Sequence, residues 1–156
     1  MVTNVGVKEM LLEHEFLRGL DPEWMEKLAE FTYTDSYYPN DYLFRAGEDA
    51  DRCLLIRDGN VALELYDPRR GSVTLDTLSG NKVLGWSWLI PPCKWCFDAR
   101  ALALTRVLAI NGPRLLQLME EDHILGYAML KRFAFLFADR LHAARLQLMD
   151  MYAPLR

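Results

Sequence analysis

The spacing of apolar positions changes twice along this chain, which divides it into three parts. In residues 8–17, Leu11, Leu12, Phe16 and Leu17 form a mixed stripe that predicts a helix, with Gly19 as its stop. The run L-D-P-E-W-M at 20–25 predicts a second helix. Asp21 suits the N-cap, Pro22 the first helical position, and Leu20 with Met25 a hydrophobic staple. From Thr32 the pattern becomes that of strands. Residues 32–38, 42–45, 53–57, 61–66 and 73–78 read as short strands separated by P-N-D, A-G-E-D-A-D, D-G-N, D-P-R-R-G and S-G-N-K. D-G-N at 58–60 predicts a tight hairpin, with Gly59 supplying the positive φ. Residues 99–110 supply one long strand or two short ones. About eight short strands with turns this frequent predict a closed β architecture such as a jelly roll.

The third part is helical again. Pro113 opens a helix whose apolar face is Leu115, Leu116, Leu118 and Met119, and Asp122 caps a longer one. Along that helix Leu130, Ala134, Phe137, Leu141, Ala144, Leu148 and Met151 recur at steps of 4, 3, 4, 3, 4 and 3. Such a heptad seam predicts a helix that pairs with its own copy in a homodimer; packing against its own domain is the alternative. The expected fold is mainly β, a single domain over 1–156. It comprises N-terminal helices (1–31), a double-stranded β-helix or jelly-roll barrel (32–111) and C-terminal helices ending in a long one (112–153).

Composition narrows the classes. Hydrophobic residues make up 51% and charged residues 26%, the balance of a soluble globular protein. No apolar run reaches the roughly 18 residues of a membrane span, and the first ten residues lack the basic and apolar regions of a signal peptide. Three cysteines are too few for a disulfide framework. These features predict a cytoplasmic protein without membrane contact. The net charge of −4 argues against a nucleic-acid binder, and Lys131, Arg132, Arg140 and Arg145 read as a solvated helical face. No nucleophile elbow, Walker loop, dinucleotide fingerprint or zinc-protease motif occurs, so neither catalysis nor a metal or cofactor is expected.

Five segments carry a resemblance: F-L-R-G-L-D-P at 16–22, F-R-A-G-E-D-A-D at 44–51, L-I-R-D-G-N-V at 55–61, V-L-G-W at 83–86 and A-L-T-R-V-L-A-I at 103–110. In this order, between two helices and a long terminal one, they resemble the cyclic nucleotide-binding domain. The likeness is greatest to the sensor half of bacterial regulators of the cAMP receptor protein type. The resemblance implies a phosphate-binding loop between a strand ending in Gly-Glu and a strand starting with Arg beside Ser or Thr. The Glu would hold the ribose and the Arg the cyclic phosphate. It also implies a dimer through the terminal helix. Regulators of this type carry a helix-turn-helix domain after that helix. Only Y-A-P-L-R follows Met151 here, so direct DNA binding is not expected.

Against that pattern Gly85 matches, but Trp86 stands at the Glu position, Trp95 at the Arg position and Cys96 at its polar neighbour. Lys94 is the only cation close by. Hydrogen bonds to charged groups contribute about 1.5–3 kcal/mol each, so losing two weakens binding roughly 10²- to 10⁴-fold. Capture of a cyclic nucleotide by the usual contacts is therefore not expected. Strand alternation puts Trp95, Phe97 and Ala99 on one face and Cys96, Asp98 and Arg100 on the other, where Asp98 and Arg100 are expected to pair. The candidate ligand site is Gly85, Trp86, Ser87, Trp88, Lys94, Trp95, Cys96, Asp98 and Arg100. The candidate dimer seam is Phe137, Leu141, Ala144, Leu148 and Met151.

Three functions fit these residues. The first is a non-catalytic sensor domain whose aromatic loop surrounds another small ligand. The second is an interaction subunit, its pocket filled by Trp or its aromatics facing a protein partner. The third is a thiol redox or metal sensor through Cys93 and Cys96.

Overall fold

The computed structural model describes residues 4–152; residues 1–3, the start of the expected N-terminal helices, and 153–156, of which 153 ends the expected helical part, lie outside it. Helix α1 (Asn4–Glu13) is followed by a 3-10 turn (Glu15–Leu17) and α2 (Pro22–Ala29). Eight strands follow: β1 (Thr32–Tyr37), β2 (Tyr42–Phe44), β3 (Arg52–Asp58), β4 (Asn60–Asp67), β5 (Gly71–Ser79), β6 (Val83–Leu84), β7 (Asp98–Ala101) and β8 (Thr105–Asn111). Helices α3 (Gly112–Glu121) and α4 (His123–Met151) follow the strands. The strands form two antiparallel four-stranded sheets, β1-β8-β3-β6 and β2-β7-β4-β5, packed as a jelly-roll sandwich.

The first sheet is covered by helices on its outer side. That explains why Cys53 to Ile56 in β3 and Val107 to Ile110 in β8 are unbroken apolar runs with no exposure: both faces of these strands are inside. The second sheet meets solvent, and β5 accordingly alternates between more and less covered positions. Its one buried charge, Glu64, is bonded twice by the Arg100 guanidinium at 2.8 and 3.1 Å, which holds the Glu64 carboxyl below its usual range. Arg100 thus pairs across to β4 and not with Asp98. Asp98 instead accepts from Ala46 N at 2.8 Å and lies 3.8 Å from Arg45.

Helix boundaries follow local capping. Asp21 accepts from Glu23 N, Asn111 from Arg114 N ahead of α3, and Asp122 from Leu125 N ahead of α4. The first helix ends at Glu13 rather than continuing to Leu17, because His14 caps the 3-10 turn. Its Nδ1 accepts from Phe16 N, and its Nε2 donates to Ile56 O at 2.9 Å in the middle of β3.

The D-G-N turn joins β3 to β4, which lie in different sheets, so it is a crossing between layers and not the expected hairpin. Its glycine is still required. Gly59 has φ +106°, and a Cβ there would lie 2.4 Å from Thr105 Oγ1 and 2.7 Å from Leu104 O. Two of the four basic residues assigned to a solvated face are also placed otherwise. Arg132 donates to Arg18 O at 2.8 Å, and the Arg140 side chain is only 19% exposed.

Two outcomes follow. Gly59→Ala should lower stability by about 3 kcal/mol in chemical denaturation, from the strained φ and the clash with β8. Burial pushes His14 below its usual value of 6.5, and its neutral form satisfies both ring nitrogens. Above pH 6.5 both folded and unfolded chains carry it neutral. Below that value the unfolded chain takes up a proton that the folded chain refuses, so stability should fall as pH drops. In urea melts across this range, a His14→Gln variant should show a flatter pH profile than the parent.

Candidate functional site

The loop between β6 and β7 is built around two buried indoles. Gly85 leaves β6 with φ +93°, and residues 86–90 form a single turn closed by Leu89 N to Trp86 O at 2.9 Å. Trp88 points inward, donates Nε1–H to Gly85 O at 2.9 Å, and packs edge-on against Phe133 of α4 at 5.6 Å between centroids. Its Cβ occupies the space that a side chain on Gly112 would need. After Pro91 and Pro92 the chain returns beside residues 47–50, with Trp95 N donating to Glu48 O and Gly47 N to Trp95 O. Trp95 stacks on Phe44 at 3.7 Å and 8°, and its ring lies where a Cβ on Gly85 would fall, at 2.6 Å. Both indoles are almost wholly buried.

Trp86 takes a different position. It stays partly open, edge-on to Phe97 at 6.3 Å and to Phe137 at 5.5 Å, with the Arg140 guanidinium 4.9 Å above its ring. Trp86, Phe97 and Arg140 wall a cleft of about 290 Å³ between the second sheet and α4, completed by Leu63, Leu75, Asp76, Ala143, Ala144 and Gln147. Gln147 ties the distal part of α4 to β5 through Leu75 O at 3.0 Å. Burial holds the Arg140 guanidinium below its ordinary range, with Asp76 opposing that effect.

Of the nine residues expected to form the site, Trp86 alone lines this cleft. Gly85 lies beneath Trp95, while Trp88 and Trp95 belong to the hydrophobic core. Ser87 is in the turn, Cys96 is exposed, and Lys94 pairs with Asp49 on the far side of the loop. Asp98 and Arg100 serve the loop and strand contacts already described.

Leu63, Leu75, Asp76, Phe97, Arg140, Ala143, Ala144 and Gln147 were not expected in the site. One signal pointed to Arg140: it continues the inward stripe of Met129, Phe133 and Phe137 at helical spacing.

The cysteines occupy separate environments. Burial pushes the Cys53 thiol up to about 12, Cys93 Sγ approaches Trp88 O, and Cys96 Sγ approaches Lys94 O. Among the described residues no group of three or more His, Cys, Asp or Glu is arranged to hold a metal ion, and no helix is long and apolar enough to cross a membrane.

The profile of the cyclic nucleotide-binding domain matches residues 34–122. No curated protein matches the chain. Among solved structures, one similar protein is from Geobacter metallireducens GS-15 and is named for cyclic nucleotide binding (28% identity, TM-score 0.76, 86% of this chain and 98% of that one). Another is a cyclic nucleotide-binding domain from Methylobacillus flagellatus KT (18% identity, TM-score 0.79, 97% and 85%). A third is the regulatory subunit of a cAMP-independent protein kinase A from Trypanosoma cruzi, bound to guanosine (19% identity, TM-score 0.62, 70% and 41%).

The two kinds of loop residue should separate on substitution. Trp95→Ala removes a stacked core indole and should cost about 3–5 kcal/mol in equilibrium unfolding. Cys96→Ala, at an exposed position, should stay within about 0.5 kcal/mol of the parent.

Proposed function

The chain belongs to the cyclic nucleotide-binding domain family, and within it we propose a non-catalytic regulatory domain that reads a ligand other than a cyclic nucleotide. The ligand sits in the cleft between the second sheet and α4. The observation that carries this reading is Trp95. It stands at the position that the sequence resemblance gives to the phosphate-binding Arg, yet it is a buried, uncharged ring stacked on Phe44 over Gly85. With Trp86 at the Glu position and Lys94 paired with Asp49, the loop offers a cyclic nucleotide neither the usual ribose partner nor the usual phosphate partner. The Trypanosoma cruzi regulatory subunit bound to guanosine, which has no phosphate, is a precedent for a phosphate-free ligand in a protein containing this fold.

The output is a homodimer through α4. From Leu141 onward every described residue of the helix is exposed, including Leu141, Leu148 and Met151 of the heptad seam. Leu141, Ala144, Arg145, Leu148, Met149 and Tyr152 line an apolar groove there, and Ala144 also borders the cleft. A ligand touching Ala143, Ala144 and Gln147 would therefore bias the helix that carries the seam, with Ala144 common to both, as coupling between two sites requires.

A second reading is an interaction subunit without a small ligand. It is favoured by Leu146, which lies exposed on the side of α4 turned away from the seam and offers apolar surface to a helix of another protein.

Light scattering should report a dimer for the parent and a monomer for Leu141→Glu or Leu148→Glu; unchanged mass in both variants would remove the seam. In thermal-shift assays cyclic AMP at micromolar concentration should leave Tm unchanged, while at least one planar small molecule raises it. Stabilisation by cyclic AMP that survives Arg140→Gln would overturn the rewritten-loop reading.

A further inference from the structure

We infer that the cleft takes a flat organic monoanion, one or two fused rings bearing a carboxylate, with Arg140 of the helix as its anion-binding residue. This rests on the cleft reading above and adds the chemical class of the ligand.

The cleft has an aromatic wall and a single cation. Trp86 and Phe97 present ring surface, Leu63 and Leu75 add aliphatic surface, and the two alanines of α4 leave room between helix and sheet. At about 290 Å³ it lies at the small end of ligand pockets, which run from roughly 300 to 1,000 Å³. That size suits one or two rings.

The Arg140 guanidinium is largely covered yet poorly partnered. Nη2 reaches Val83 O at 3.4 Å, and Nη1 lies 3.9 Å from Asp76 Oδ2, beyond hydrogen-bond length. A guanidinium carries five N–H donors in a planar fork matched to a carboxylate. Among the described residues the buried side-chain polar atom without a partner is Arg132 Nε. The unpartnered donors of Arg140 are therefore open to solvent, and Arg140 lines the cleft.

The remaining polar groups of the wall are already engaged. Asp76 Oδ1 accepts from Thr77 N at 2.8 Å, and Gln147 Nε2 donates to Leu75 O. Asp76 is the one acidic group in the wall. Its side chain is 44% exposed, so it faces solvent as the ligand carboxylate takes the guanidinium. The cations of the loop and of the strands flanking it, Arg45, Lys94 and Arg100, are paired with Asp98, Asp49 and Glu64. The charge that selects the ligand thus comes from the helix, opposite the loop.

Calorimetric titration of the intact protein with indole-3-acetate, phenylacetate and indole-3-acetamide tests this. The two acids should bind, and the amide about 10- to 100-fold more weakly, the factor associated with one charge-assisted interaction. Arg140→Gln should remove the preference for acid over amide. Asp76→Asn, which takes away the competing carboxylate, should tighten the acids several-fold while leaving the amide unchanged.

Equal affinity for acid and amide, or a preference that survives Arg140→Gln, overturns the monoanion assignment and leaves the cleft reading intact. Failure of all three compounds and of every neutral planar compound to bind the parent protein overturns both.

Discussion

Two indole rings each need a glycine beneath them, and the architecture around the loop follows from that demand. Trp95 lies on Gly85 and Trp88 on Gly112, at distances that leave no space for a Cβ. Trp95 fixes the loop to the β2 side of the sandwich through Phe44, and Trp88 fixes it to α4 through Phe133. Phe133 in turn meets Phe16 of the N-terminal turn and Phe137. The loop is thereby part of the core. Burial on this scale sets a stiff frame, because interiors packed to crystalline density have few alternative arrangements. The residual opening appears one step further along, where Trp86 stays half outside and the helix turns an arginine toward it.

Much of the fold was legible in the sequence, because its signals are local. Asp21, Asn111 and Asp122 are short polar side chains ahead of apolar helical stripes, and each caps the helix it precedes. Unbroken apolar runs in β3 and β8 marked strands covered on both faces. What misled was also local. D-G-N has hairpin chemistry, but whether its flanking strands pair depends on β8 and β6, which already occupy both edges of β3. Strand β6 has two residues and no period to detect.

The site was less legible, for a physical reason. A run of Trp, Pro and Cys has the same composition whether its rings enclose a space or fill one, and the difference lies in partners far along the chain. Phe44 and Gly112 decide the fate of Trp95 and Trp88. Arg140, 54 positions from Trp86, decides the polarity of the opening that remains. A cation on a helix reads as solvated by default, and only its place on the inward stripe separated it from Lys131 and Arg145.

The strand order also sets a sequence in time. β4 and β5 pair with each other as neighbours, so this ribbon has its partners as soon as it is made. β1 pairs only with β8, and β3 waits for the same strand in its centre. On a chain emerging from the ribosome, the helix-covered sheet therefore stays open until Asn111 has appeared. The cleft comes later still, since its second wall is the stretch of α4 from Arg140 to Gln147. Its occupant therefore meets only chains that already extend through Gln147, after both sheets have their strands.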